Sequence, residues 1–325
     1  MAQQTHHSHH RRHSSRPQEV NPTFATSQNF FVPPKNEKVL DRNELLAALN
    51  HLASLIISAF NGHKVTLYAH GGSVMVLHSK LGARGTTRDV DICLREFDSE
   101  WAEKGIPDAT KRLKWCIYET ARLRGLGGDW MNSAPDVAFP WATDRNGLPY
   151  CPVLRQSRCP GNHAENTIYT SSHLDVVAVS WPWALALKFV RYDKNDPHDI
   201  ACILHYAAAA NSCVWSCSRL ESWLRDNCWA MRYDGYTPER MTKLRDRIRM
   251  SISLARERSD PNFSPSSMSS GSTVPTPPIY RPSPHTHIPQ QPPAHQQFVH
   301  QTAFVPRPPA FHTRHSSRSN QMSAF

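Results

Sequence analysis

The chain has 325 residues and eight cysteines, yet it contains no Cys-x-x-Cys pair and no Cys/His spacing suited to a zinc site. It has no Walker-type Gly-Lys-Ser/Thr loop, no Gly-x-Ser-x-Gly elbow and no His-Glu-x-x-His. P-loop, α/β-hydrolase and zincin chemistries are thereby set aside. Met1 is followed by Gln, His and Ser rather than by an apolar run, so no secretory leader is expected. The longest largely apolar stretch, Val176 to Val190, is too short to span a bilayer. A reduced, intracellular protein, cytoplasmic or nuclear and with no membrane partner, is the expectation. Dense Lys/Arg runs are also missing. The net charge of +10 is spread thinly and points only weakly to nucleotide or nucleic-acid partners.

Apolar periodicity is missing from both ends. Residues 1–36 hold five His and four Pro, and residues 259–325 hold thirteen Pro and six His among many Ser, Gln and Thr. Such segments cannot bury enough apolar surface to offset the entropy of ordering them. They are expected to be disordered tails, available to other proteins. Residues 37–258 remain as one globular domain with a helical C-terminal part.

Within that span, Asp41 or Asn43 can cap a helix running to about Phe60, with Leu45, Leu49, Leu52 and Ile56 on its apolar face. Another helix is expected over 108–124, stopped by Gly125. Residues 135–140 read as a brief extended piece and 141–166, rich in Pro, Gly and Asn, as an exposed loop. Thr167–Tyr169 and Leu174–Val179 read as strands joined by a Ser-Ser turn. Helices are then expected from Trp181, from Pro197, over Leu220–Trp229 and over Pro238–Arg258. Few strands followed by a helical half fit an α+β or α/β core with a helical annex. Most of the Trp residues, Trp229 among them, read as core.

Residues 67–94, LYAHGGSVMVLHSKLGARGTTRDVDICL, concentrate the chemistry. A short apolar run from Val65 to Ala69 is a buried-strand candidate. Gly71-Gly72-Ser73 follows and opens a helix through Leu81. In the next strand, Val90, Ile92 and Leu94 alternate with Asp89, Asp91 and Arg95. Side chains alternate along a strand, so Asp89 and Asp91 share a face about 7 Å apart. Two carboxylates beside a glycine turn can hold a divalent cation together with a polyphosphate.

Gly71-Gly72-Ser73 followed by Thr86-Thr87-Arg88-Asp89-Val90-Asp91 resembles the signature of the polymerase-β-type nucleotidyltransferase superfamily. The block from Ala186 to Leu204, ALKFVRYDKNDPHDIACIL, is similar to one in abortive-infection-type toxin nucleotidyltransferases, matching Lys188, Arg191, Asp196 and Asp199 in order. Taken with DWMNSAPDVAFP, these blocks also resemble an uncharacterised family of fungal domains over residues 66–258, which implies a fold but no substrate. The implied fold is α+β, a small mixed sheet flanked by helices.

The resemblance implies metal-dependent transfer of a nucleotidyl group from an NTP to an acceptor hydroxyl on RNA, protein or a small molecule. Asp89 and Asp91 would bind Mg²⁺ or Mn²⁺. Gly71, Gly72 and Ser73 would hold phosphates, and Lys188 and Arg191, one helical turn apart, would meet the triphosphate. Asp196 and Asp199 read as helix-start capping acids. A third acid is needed from a later strand; the candidates are Asp136 and Asp175, with Asp175 preferred for its place in a strand. Arg84 resembles the basic residue preceding the block but lies one residue further away. Arg88, directly before Asp89, either takes that nucleotide-binding place or pairs with a neighbouring acid. The alternative is a catalytically inactive module of the same fold, presenting its tails as a scaffold.

Overall fold

A computed structural model describes residues 34–258. The expected tails lie outside the described residues except at 34–36, where composition placed the boundary too late. Asn36 donates its Nδ2 to the Arg88 carbonyl at 2.6 Å and its Oδ1 accepts from Gly127 N at 3.0 Å. Pro34 O accepts from Gly128 N at 2.8 Å. One polar side chain ties these residues down where no apolar pattern announces it.

The chain opens with β1 (Leu40–Asp41) and α1 (Arg42–Ala59). Asp41 accepts from Glu44 N at 2.8 Å while Glu44 accepts from Asp41 N at 3.2 Å, a reciprocal capping box. Then come β2 (Val65–His70), α2 (Gly72–Leu77), β3 (Thr86–Thr87) and β4 (Val90–Cys93). α2 is shorter than expected, and Arg42 donates to its last carbonyls, Val76 O and Leu77 O. Next are α3 (Phe97–Ala102), α4 (Ala109–Arg124) and β5 (Met131–Asn132). α4 buries Leu113, Cys116, Ile117, Thr120 and Ala121, the face its periodicity indicates.

Two local expectations fail in the middle of the chain. Residues 134–138 form a 3₁₀ turn rather than an extended piece. The supposed loop 141–166 contains β6 (Ala142–Thr143), β7 (Pro149–Tyr150), α5 (Pro152–Ser157) and α6 (Pro160–Asn166). Pro152 and Pro160 stand in the first turn of their helices, where the missing N–H costs nothing, so they open helices rather than break them.

After β8 (Thr167–Thr170) and β9 (Leu174–Ala178) the fold is helical: α7 (Trp181–Arg191), α8 (Asp196–Asn211), α9 (Cys217–Asn227) and α10 (Pro238–Glu257). α10 starts at a Thr237 cap that accepts from Arg240 N. α9 ends before Trp229, which lies in a 3₁₀ turn and is 55% exposed rather than core.

The central sheet is mixed, in the order β5-β4-β2-β9-β8. β2 runs parallel to β9 and antiparallel to β4, and β5 runs parallel to β4. Leu67, Ala69, Val90, Ile92, Val176 and Ala178 are buried on one face. The fold is therefore α+β, a five-stranded mixed sheet flanked by helices with a helical C-terminal part. Among the described residues, no helix is long and apolar enough to cross a membrane.

Candidate functional site

Strand pairing assembles a row of polar side chains across three strands. His70 pairs with Asp91, and Asp91 with Asn132, so the three side chains project from the same face at one end of the sheet. Gly71 follows His70 immediately and turns the chain into α2 with φ 77° and ψ −148°, a region open essentially to glycine alone. A Cβ built on Gly71 would overlap Asp91 Oδ2, so the backbone lies directly against the carboxylate. At Gly72 a Cβ would stand 2.6 Å from Thr87 Oγ1 and 2.9 Å from Arg84 Nη1. Half-buried Gly71 thus permits close approach to the Asp-bearing strand, and half-buried Gly72 to Thr87 of β3 and to Arg84.

Asp89 and Asp91 carry strained charge. Burial and then the neighbouring Asp89 carboxylate push Asp91 up to about 7, against Arg191, Lys188 and the Asn132 amide. Burial, and then Asp129, raise Asp89 as well, with Arg191, Asn132 and Arg84 opposing. Two half-buried acids whose mutual repulsion is not relieved are a favourable setting for a cation. His70 is held neutral: burial first, then Lys188 and Arg191, drive it down to about 3. Its ring packs on Phe139 at 5.1 Å, and among the described residues its Nε2 has no hydrogen-bond partner.

Behind the acids runs an ion network that local sequence reasoning divided between catalysis and capping. Arg84 binds Asp199 bidentately at 2.9 and 2.8 Å. Lys188 Nζ donates to Asp199 at 2.7 Å and to Asp196 at 3.2 Å. Arg191 binds Asp196 at 2.9 and 2.8 Å. Asp196 is depressed because this pairing outweighs the burial that opposes it. Three cations against two anions leave one positive charge in excess beside the Asp pair. Lys188, Asp196 and Asp199 are buried, so the Lys188 ammonium is committed to internal acids rather than free to clamp a triphosphate. Arg191 is different, with a side chain 58% exposed.

Several expected residues sit elsewhere. Asp175 pairs with Thr66 in register, four residues from His70 along β2, or about 13 Å. It bonds Lys64 at 2.8 Å and Thr170 at 2.6 Å, away from the Asp89–Asp91 pair. Asp136 accepts from Leu94 N at 2.9 Å, beyond the far end of β4. Ser73 is fully buried and donates to His70 O at 3.3 Å, so its hydroxyl does not face a ligand. Arg88 is exposed, whereas Arg84 reaches the glycine turn.

Two residues of the site escaped the sequence reading. Asn132 becomes visible only through the β4–β5 pairing, and Asp129 is the carboxylate that, after burial, raises Asp89. Asp129 Oδ1 is turned toward Asn36 N. Among the described residues, no group of three His, Cys, Asp or Glu side chains is placed to hold a metal ion. Mg²⁺ does not require one: it is commonly bound by one or two carboxylates plus substrate phosphates, and Asp89 with Asp91 fits that donor set. No protein-family model, no curated protein and no solved structure matches this chain.

Proposed function

We propose that this chain is a metal-dependent nucleotidyltransferase of the polymerase-β type, moving a nucleotidyl group from an NTP to an acceptor hydroxyl. One observation carries the reading: two half-buried carboxylates of unrelieved charge stand together, Asp91 directly against a glycine turn, with surplus positive charge behind them. Asp89 and Asp91 would hold Mg²⁺ or Mn²⁺. When bound, the ion supplies charge that draws phosphate oxygens to the acids and lowers the pKa of the acceptor hydroxyl. Gly71 and Gly72 let the phosphates approach the backbone without a Cβ in the way. Arg191, the exposed cation of the network, meets negative charge on the leaving pyrophosphate, and Arg84 and Lys188 hold its partner acids in place. Neutral His70 closes the floor of the site without adding charge.

A second reading, a binding protein of this fold without transfer activity, is favoured by one observation. Neither Asp136 nor Asp175 reaches the Asp pair, and Asp129, the further carboxylate near Asp89, is engaged by Asn36 N, whereas a catalytic site of this type uses a third acid. The full chain incubated with each α-labelled NTP, Mg²⁺ or Mn²⁺, and cellular RNA and protein separates the two. Label reaching a macromolecule, and lost in Asp89→Asn, supports transfer. Metal-dependent thermal stabilisation by an NTP with no label transferred supports the binding reading.

A further inference from the structure

A second basic feature lies on the helical half, where α7 meets α10. Phe189, Val190 and Leu244 form the apolar floor of an open groove of about 170 Å³, room for a planar ring rather than for one or two waters. Its rim carries Tyr236, Arg240, Lys243 and Arg247, and among the described residues no acid lines it. The Arg240 guanidinium lies over the Tyr236 ring at 3.6 Å. Arg247 is partly spent, donating to Phe189 O and to Val190 O at the end of α7. Arg240 and Lys243 are exposed and, among the described residues, have no carboxylate partner. The nearest acids along α10 are Glu239, at the helix start, and Asp246, which pairs with Arg249.

Arg240, Lys243 and Arg247 follow one another at i, i+3 and i+7, so they form a file along one edge of α10 about 10 Å long. A file of cations beside an aromatic ring, over an apolar floor, is what a phosphodiester strand requires: point charges for successive phosphates and a π-face for a base. An acidic peptide would use the charges but leave the Tyr236–Arg240 stack and the apolar floor without a role. We propose that the α7–α10 groove binds single-stranded nucleic acid, with phosphates on Arg240 and Lys243 and a base against the Tyr236–Arg240 stack. This binding does not depend on turnover at Asp89 and Asp91.

The test is the affinity of the full chain for a labelled oligouridylate over a range of salt. The unmodified chain is expected to bind with an affinity that falls steeply as salt rises. The Arg240→Ala/Lys243→Ala variant should bind at least about tenfold more weakly, and its log–log salt slope should be shallower by about 1.4, two phosphates at 0.7 each. Tyr236→Leu should weaken binding about fivefold or more with the slope unchanged. Lys243→Arg, which keeps the charge, should bind as the unmodified chain does. A DNA strand of the same base sequence bound equally well supports a phosphodiester site that ignores the 2′-hydroxyl. Lys243→Glu, at an exposed side chain, provides the same reading should the double variant unfold. Full affinity and slope in Lys243→Glu would overturn the proposal, because the binding would then lie elsewhere on the chain. Displacement of the strand by polyglutamate or tripolyphosphate at equal charge would also overturn it, in favour of an acidic-peptide or small-anion site.

Discussion

Gly71 and Asp91 are in such close contact that the glycine has no room for a side chain: a Cβ there would collide with Asp91 Oδ2. The positive φ of Gly71 and the carboxylate beside it thus place one demand on the sequence from two directions. Gly71→Ala should destabilise the fold by about 1–3 kcal/mol through backbone strain. It should also abolish stabilisation by Mg²⁺ with NTP, because Asp91 must move. Chemical denaturation with and without the metal–nucleotide pair checks both effects; an unchanged metal response would show that the contact does not position Asp91.

The charge on Asp91 has a definite consequence for pH. Its folded value, about 7, lies above the ordinary 3.8, so the folded state binds a proton more tightly than the unfolded chain. Stability from this group is full below pH 4 and is lost as pH rises toward 7, by up to about 4 kcal/mol. With metal chelated, the unmodified chain should therefore lose stability relative to Asp91→Asn between pH 4.5 and 8. Mg²⁺ added at pH 8 should restore the unmodified chain and not the variant. A constant difference across that range would mean that neither burial nor Asp89 raises Asp91 in the folded chain.

Lys188 holds two buried carboxylates, and its removal leaves them facing each other. Lys188→Ala should cost about 3–5 kcal/mol, the usual result of breaking a buried ion pair from one side. Urea unfolding measures this directly. A fully stable variant that has lost only nucleotide binding would instead assign Lys188 to the ligand.

Asp129 and Asp175 should behave in opposite ways. Asp175 sits in a partly exposed pair with Lys64, so Asp175→Asn should cost under about 1 kcal/mol and leave metal binding untouched. Asp129→Asn keeps an oxygen for Asn36 N but removes the charge that raises Asp89. Carboxyl carbon titration by NMR should show the Asp89 midpoint falling in Asp129→Asn and unmoved in Asp175→Asn.

Elements whose signal lies in neighbouring residues were legible before any coordinates. A helix start near Asp41, the buried face of α4, the Ser-Ser turn between β8 and β9, and the start of α10 at Pro238 all follow from local hydrogen bonding and periodicity. The glycine turn and the Asp89/Asp91 alternation are likewise properties of a few consecutive residues. Pro152 and Pro160 misled because proline opens a helix as readily as it ends one, and only the packed structure decides which.

The partners of each charge were not legible, because they are set by pairings tens of residues apart. Asp175 has the right residue type and the right kind of element, but the β2–β9 register carries it to the wrong end of the sheet. Asn132 and Asp129 reach the site only because β5 adds to β4, and Lys188 is drawn inward because Asp196 and Asp199 are buried beside it. Local spacing determines which side chains share a face. Which faces meet, and which ion neutralises which, depends on burial and strand register across the folded chain.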